Sequence, residues 1–152
     1  MGKLTGIARH PRPRGAMETV DRVAVTFDCG IADDYRGAMK GQPYKRQVTL
    51  FEREDWNRAL VEVGRDIPWE QRRANLLVEG MDLPQVPGTR LRIGADVVLE
   101  ITRECEPCDR MEVLAPGLRA ALTPDWRGGV CSFVVAEGEI AVGDTIIIEI
   151  IS

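Results

Sequence analysis

A mostly β fold with a few short helices is what this sequence predicts, and three observations carry that expectation. Short apolar and β-branched runs recur along most of the chain, and Gly, Pro and Asp punctuate them. Only one long stretch repeats its apolar positions at helical spacing. Many short strands separated by turn residues describe a twisted sheet or a small barrel.

The first strand is expected at residues 4–9 and the second at 20–27. Between them, Arg9-His10-Pro11-Arg12-Pro13-Arg14-Gly15 is too rich in turn residues to continue a strand. A second turn-rich stretch, residues 30–41, precedes a strand at 47–51. Residues 53–64 predict a helix, because Trp56, Ala59, Leu60 and Val63 fall on one face and Gly64 can close it. Pro68 is placed to open a turn or two of helix over Trp69-Glu70-Gln71-Arg72-Arg73. Strands follow at 76–78, 89–93 and 96–103, then a short helix between Pro116 and Leu122, then a strand at 130–136. At the end of residues 138–144, Gly143-Asp144 reads as a turn, with Asp144 in a structural role, that feeds a closing strand at 145–150.

With 152 residues the chain suits one domain, 1–152, large enough to bury its own core. Its 44% hydrophobic and 29% charged residues lie outside the regime that leaves chains disordered. A net charge of −4 gives no global attraction to nucleic acid or anionic lipid, which excludes both as main partners. No apolar run approaches the roughly 20 residues of a membrane span, and no apolar signal core follows Met1. The expectation is a cytoplasmic protein without membrane contact, and a monomer, since barrel closure leaves few free strand edges.

The four cysteines, Cys29, Cys105, Cys108 and Cys131, are therefore read as thiols. Cys105 and Cys108 form Cys-x-x-Cys, a spacing that can chelate zinc or cycle between dithiol and disulfide. Zinc needs a fuller ligand set, and no second Cys-x-x-Cys supplies one. Cys108 has a Pro before it and Arg103 and Arg110 on either side; as a thiolate it is both a soft metal ligand and a nucleophile able to hold a persulfide. Its bland alternative is a half-buried thiol at a strand end. Cys131 opens an apolar run and reads as a buried packing residue. His10, the only histidine, suits proton transfer or packing, and Asp33 and Asp34 suit turn capping, with Asp34 also a site candidate.

In chain order, Gly30-Ile31-Ala32-Asp33-Asp34, Arg46-Gln47-Val48-Thr49-Leu50, Arg73-Ala74-Asn75-Leu76-Leu77-Val78-Glu79-Gly80, Leu91-Arg92-Ile93-Gly94, Glu104-Cys105-Glu106-Pro107-Cys108, Gly128-Gly129-Val130 and the segment from Gly138 to Asp144 make a series. That series resembles the MOSC domain family, the C-terminal domain of molybdenum cofactor sulfurases, in a small stand-alone bacterial-type member. The resemblance implies a β-barrel related to the barrel domain of pyruvate kinase. It also implies binding of molybdenum cofactor (molybdopterin), carriage of sulfur as a cysteine persulfide, or both, with Cys108 of the Pro-Cys motif as catalytic thiol and metal ligand. Larger relatives add a pyridoxal-phosphate domain or reduce amidoximes. This chain has no room for the former and no iron–sulfur cysteine set, so no pyridoxal phosphate is expected. The resemblance then implies a separate sulfur donor (a cysteine desulfurase) or a separate electron donor. Amidoxime-reducing relatives ligate molybdenum through a cysteine shortly before the strand at 130–136, whereas residues 121–127 here contain none.

A pterin cofactor with a phosphate and a polar edge calls for cationic forks and amide hydrogen bonds. Arg36, Lys40, Lys45, Arg46, Arg73 and Asn75 lie in the segments that the resemblance places at the pocket, with Arg46 and Asn75 the preferred pair. Two other functions compete with cofactor binding or sulfur carriage. One is molybdenum-dependent reduction of N-hydroxylated compounds, and the other a non-catalytic interaction module that has lost the cofactor and keeps its cysteines as core.

Overall fold

Alternate side chains of a strand point to opposite faces, so apolar residues on both faces of one strand require two cores. The computed structural model describes residues 1–38 and 46–149. Its strands are β1 (Gly2–Arg9), β2 (Glu18–Val20), β3 (Arg22–Thr26), β4 (Gly30–Ile31), β5 (Val48–Glu52), β6 (Leu76–Glu79), β7 (Arg90–Ile93), β8 (Val97–Glu104), β9 (Val130–Ala136), β10 (Gly138–Ala141) and β11 (Thr145–Glu149). The helices are α1 (Arg53–Val63), α2 (Asp109–Leu114) and α3 (Leu118–Ala121), with 3-10 turns at Trp69–Arg72 and Pro124–Trp126.

Seven strands close into a barrel in the order β11-β7-β8-β9-β5-β6-β1, with β1 pairing back to β11 and β2 added beside β1. Closure removes the exposed edges that an open sheet would present. The pairs are antiparallel except β5 with β6, which run parallel because α1 and the following 3-10 turn carry the chain across between them. A second sheet, in the order β10-β3-β4, sits against the barrel.

Val48 and Leu50 of β5, Leu76 and Val78 of β6, and Leu91, Ile93, Leu99 and Ile101 point into the barrel. Val23, Val25, Ile31 and Ile140 of the second sheet join the same core. Phe51 and Leu77 point the other way and pack under Trp56, Ala59 and Leu60 of α1 and Met111, Leu118 and Leu122. The Phe51 and Trp56 rings meet edge to face at 5.9 Å. Each such fully buried side chain stabilises the fold by about 1.5–3 kcal/mol. The helix expected at 53–64 forms, and Gly64 ends it in the left-handed region, φ 68°.

The remaining differences from the sequence reading are local. The strand expected at 20–27 breaks at Asp21, so that β2 pairs with β1 while β3 turns into the second sheet. Ahead of the Gly143-Asp144 turn lies β10, a strand not expected from the sequence, whose Ile140 is buried against Val23 register for register. Asp144 keeps its structural role, its Oδ2 accepting from the Ala141 amide at 2.9 Å. The helix α2 was not expected: it has six residues from Asp109, and the residue before it, Cys108, makes no side-chain cap. Among the described residues no helix is long and apolar enough to cross a membrane.

Candidate functional site

The end of β8 and the start of β9 build the centre of the site. Their register shifts between Ile101 and Arg103, then resumes with Arg103 opposite Cys131 and Glu104 opposite Val130. Cys105 continues past β8 and donates its amide to Gly129 O at 2.8 Å. Packing against β5 requires glycine at this point: Gly129 has φ 104°, and a Cβ there would lie 2.0 Å from Leu50 O. The result is that Cys105 and Cys131, 26 positions apart in sequence, both sit buried at one rim of the barrel.

Arg72, the last residue of the first 3-10 turn, is only 3% exposed and reaches the same spot. Its Nη2 donates to Cys105 O and Gly128 O, each at 2.9 Å, and lies 3.6 Å from Cys105 Sγ. The Cys105 thiol is held well below the ordinary thiol range. The cause is first a hydrogen bond from Cys131, which outweighs burial, and then the positive charges of Arg72, Arg46 and Arg36. Cys131 is pushed up, first by the neighbouring Cys105 thiol and then by burial.

Cys108 lies three residues further on, exposed, at the entry to α2. All three cysteines line one cleft of about 350 Å³, together with Arg46, Arg103 and Arg119. A second cleft of about 170 Å³ is lined by His10, Arg14, Tyr35, Arg36, Arg73 and Arg110. Arg36, which lines the second cleft, is within electrostatic reach of Arg46, Cys105 and Cys108 of the first. Arg73 turns into the second cleft while Arg72 points inward, because Arg73 closes the 3-10 turn in the left-handed region at φ 64°. Burial and mutual repulsion lower the pKa of both Arg36 and Arg73, the electrostatic mark of crowded cations. Among the described residues, Arg36, Arg46, Arg73 and Arg110 form no ion pair with an acidic side chain.

Asp34 supports the second cleft from behind. It is buried and accepts hydrogen bonds from the amides of His10 (3.1 Å) and Gly37 (3.3 Å) and from Asn75 Nδ2 (3.2 Å). His10 Nδ1 lies 3.3 Å from Asp34 Oδ1, without the alignment of a hydrogen bond. Burial, with Arg73, Arg36 and Arg110 nearby, keeps the imidazole below its ordinary pKa against the opposing pull of Asp34.

Of the residues expected at a pocket, Cys108 and Arg46 line the first cleft, and Arg36 and Arg73 the second. Asn75 lines neither. Its Oδ1 accepts from Thr49 N and Oγ1, at 3.0 and 3.2 Å, and its Nδ2 donates to Ala8 O and Asp34, so its contribution is to hold the Asp34 loop. Lys40 and Lys45 lie outside the described residues. The zinc reading of Cys-x-x-Cys has no ligand set: among the described residues no three His, Cys, Asp or Glu side chains converge. Arg72 was not singled out from sequence, and nothing local marks it, since its partners are backbone groups 33 and 56 positions away.

The family model described as the MOSC domain matches residues 33–147 of this chain. Among solved structures, YuaD of Bacillus subtilis is similar, with a TM-score of 0.77 at 20% identity over 96% of this chain and 94% of that one. YiiM of Geobacillus stearothermophilus gives 0.75 at 16% identity over 98% and 75% of the two chains. YiiM of Escherichia coli gives 0.71 at 13% identity over 99% and 71%. At these identities the structural likeness speaks for the fold. No curated protein matches the sequence.

Proposed function

This chain belongs to the MOSC domain family, a family associated with molybdenum cofactor binding, and from that membership we propose that its two arginine-lined clefts form a molybdenum cofactor site with Cys108 as the thiol ligand. The observation that carries the proposal is an exposed thiol in a cleft lined by Arg46, which, like Arg36, Arg73 and Arg110 of the second cleft, has no acidic ion-pair partner among the described residues. The residues fit such a group. Among the described residues Arg46 Nε, in the first cleft, is a buried donor without an acceptor, and leaving a buried donor unsatisfied costs about 1–3 kcal/mol, which an anionic ligand would relieve.

Cys108 supplies a soft sulfur ligand at the mouth of the first cleft. Arg46, Arg36, Arg73 and Arg110 would hold the anionic groups of the pterin, with Lys40 proposed from the sequence as a further cation. Asn75 acts at one remove, as a positioning residue that fixes the Asp34 loop. When bound, the cofactor supplies two-electron redox chemistry at molybdenum.

The exposure of Cys108 also suits sulfur carriage. Its thiolate attacks the terminal sulfur of a persulfide on a separate donor protein; the new S–S bond forms at Cys108 as the donor's S–S bond breaks, and the donor leaves as a thiolate. A cysteine desulfurase is the class of donor that this step requires, and an electron donor takes its place if the bound cofactor turns over.

The test is metal and pterin analysis of protein purified anaerobically from cells with active cofactor synthesis, beside the Cys108→Ser variant, with persulfides trapped by alkylation. Molybdenum and pterin in stoichiometric amounts, lost in the variant, are expected. A variant that keeps its molybdenum and a wild type with no persulfide on Cys108 would together overturn the proposal.

A further inference from the structure

Sequence pairs Cys105 with Cys108, three residues away; the fold pairs it with Cys131. We infer that Cys105 and Cys131 form a two-electron dithiol–disulfide centre in the floor of the first cleft, oxidised by small hydroperoxides and separate from the exposed Cys108.

Four observations support this. The register that follows the irregularity in β8 sets Cys131 opposite Arg103, two positions from Cys105 across the strand pair. The Cys131 Sγ lies 3.9 Å from Glu104 O, the carbonyl immediately preceding Cys105, so its thiol stands beside the Cys105 backbone. Both side chains are 1% exposed yet line the cleft, so a reagent the size of a peroxide has a path to them and a bulky one does not. Arg72 fixes the Cys105 end, with one nitrogen bonded to its carbonyl at 2.9 Å and set 3.6 Å from its sulfur. The directions of the two shifts agree with the assignment of roles, Cys105 being held down and Cys131 pushed up. A thiolate beside cations is the nucleophilic partner, and a neighbouring thiol is the resolving one.

In the first step the Cys105 thiolate attacks one oxygen of the peroxide. An S–O bond forms, the O–O bond breaks, and hydroxide or alkoxide leaves, giving a sulfenic acid. In the second step the Cys131 sulfur attacks Cys105 Sγ; the S–S bond forms, the S–O bond breaks, and the oxygen departs as water with the Cys131 proton. The peroxide is reduced by two electrons and the two thiols are oxidised by the same number. Oxidation also removes the one anionic sulfur lying among Arg72, Arg46 and Arg36, which leaves the cleft more positive than before.

Peptide mapping tests the pairing without any cofactor. Cleavage after Arg103, Arg110 and Arg127 puts Cys105 and Cys108 together in residues 104–110 and Cys131 alone in residues 128–152. After the folded protein is treated with hydrogen peroxide, the two peptides are expected to be joined, and to be joined equally in Cys108→Ser. In Cys131→Ala, with folding checked by its melting curve, the join is lost and Cys105 proceeds to sulfinic acid. A bridge confined to residues 104–110, loss of the join in Cys108→Ser, or over-oxidation of Cys105 in the wild type with Cys131 still a free thiol would each overturn the inference.

Discussion

Asn75 and Arg72 are both polar, both nearly inaccessible and both anchored to distant backbone, yet they differ in what they leave open. Each nitrogen and oxygen of the Asn75 side chain has a protein partner, drawn from β1, β5 and the Asp34 loop. Arg72 satisfies two carbonyls, but among the described residues its buried Nε has no acceptor, nor has that of Arg46, which lines the first cleft. Burial alone therefore does not mark a functional residue in this molecule. A closed set of hydrogen bonds identifies a brace, and an open donor in a cleft identifies a place where a ligand completes the set.

The largest effect on stability is expected where the set is closed. Asn75→Ala strips an acceptor from the Thr49 amide and donors from Ala8 O and Asp34, all in buried surroundings. A loss of about 3 kcal/mol in denaturant unfolding follows from leaving several buried groups unpaired. A loss below about 1 kcal/mol would show that water replaces the amide without cost, and the contrast with Arg72 would fail.

Arg46→Met should behave in the opposite sense. Arg46 has a buried, unpartnered Nε and no acidic partner among the described residues, so removing its charge strands nothing. Unfolding free energy should change by no more than about 0.5 kcal/mol. Cofactor affinity, measured by titrating the apoprotein, should fall roughly tenfold, the factor that corresponds to about 1.4 kcal/mol for one lost charged contact. Unchanged affinity would remove Arg46 from the site.

How far these roles could be read from the sequence follows from how local their causes are. The barrel strands and α1 were legible because alternation and helical spacing are repeated signals: Val48 and Leu50 against Phe51, and Trp56 with Ala59 and Leu60. The resemblance named Cys108, Arg46, Arg36 and Arg73 on segments that do line the clefts. Asn75 was expected there too, but its partners Ala8, Asp34 and Thr49 come from three separate segments, and no spacing announces that they meet. The Cys105–Cys131 pairing was hidden for the same reason, since a register irregularity at Thr102 and the close approach at Gly129 decide it. The six-residue α2 lacks both a side-chain cap and the length for periodicity.

A third polar site sharpens the comparison by carrying the opposite charge. Glu52, at the junction of β5 and α1, accepts the Leu83 amide at 2.8 Å and is surrounded by Glu54, Asp55 and Asp82. Burial first, and then those carboxylates, raise its pKa to about 7 despite the hydrogen bond from Leu83. The unfolded chain releases this proton near pH 4.5 while the folded chain keeps it to about 7. Within that window the folded state therefore binds more protons, so stability falls as pH rises and levels off above pH 7. Because Glu52 is only partly buried, solvent screening reduces the expected loss to about 1–2 kcal/mol. Glu52→Gln keeps an oxygen for the Leu83 amide and removes the titrating group, so its unfolding free energy should lose most of the slope between pH 4.5 and 7. If the slope persists in the variant, another group sets it, and Glu52 belongs with Asn75 among the braces whose partners are complete.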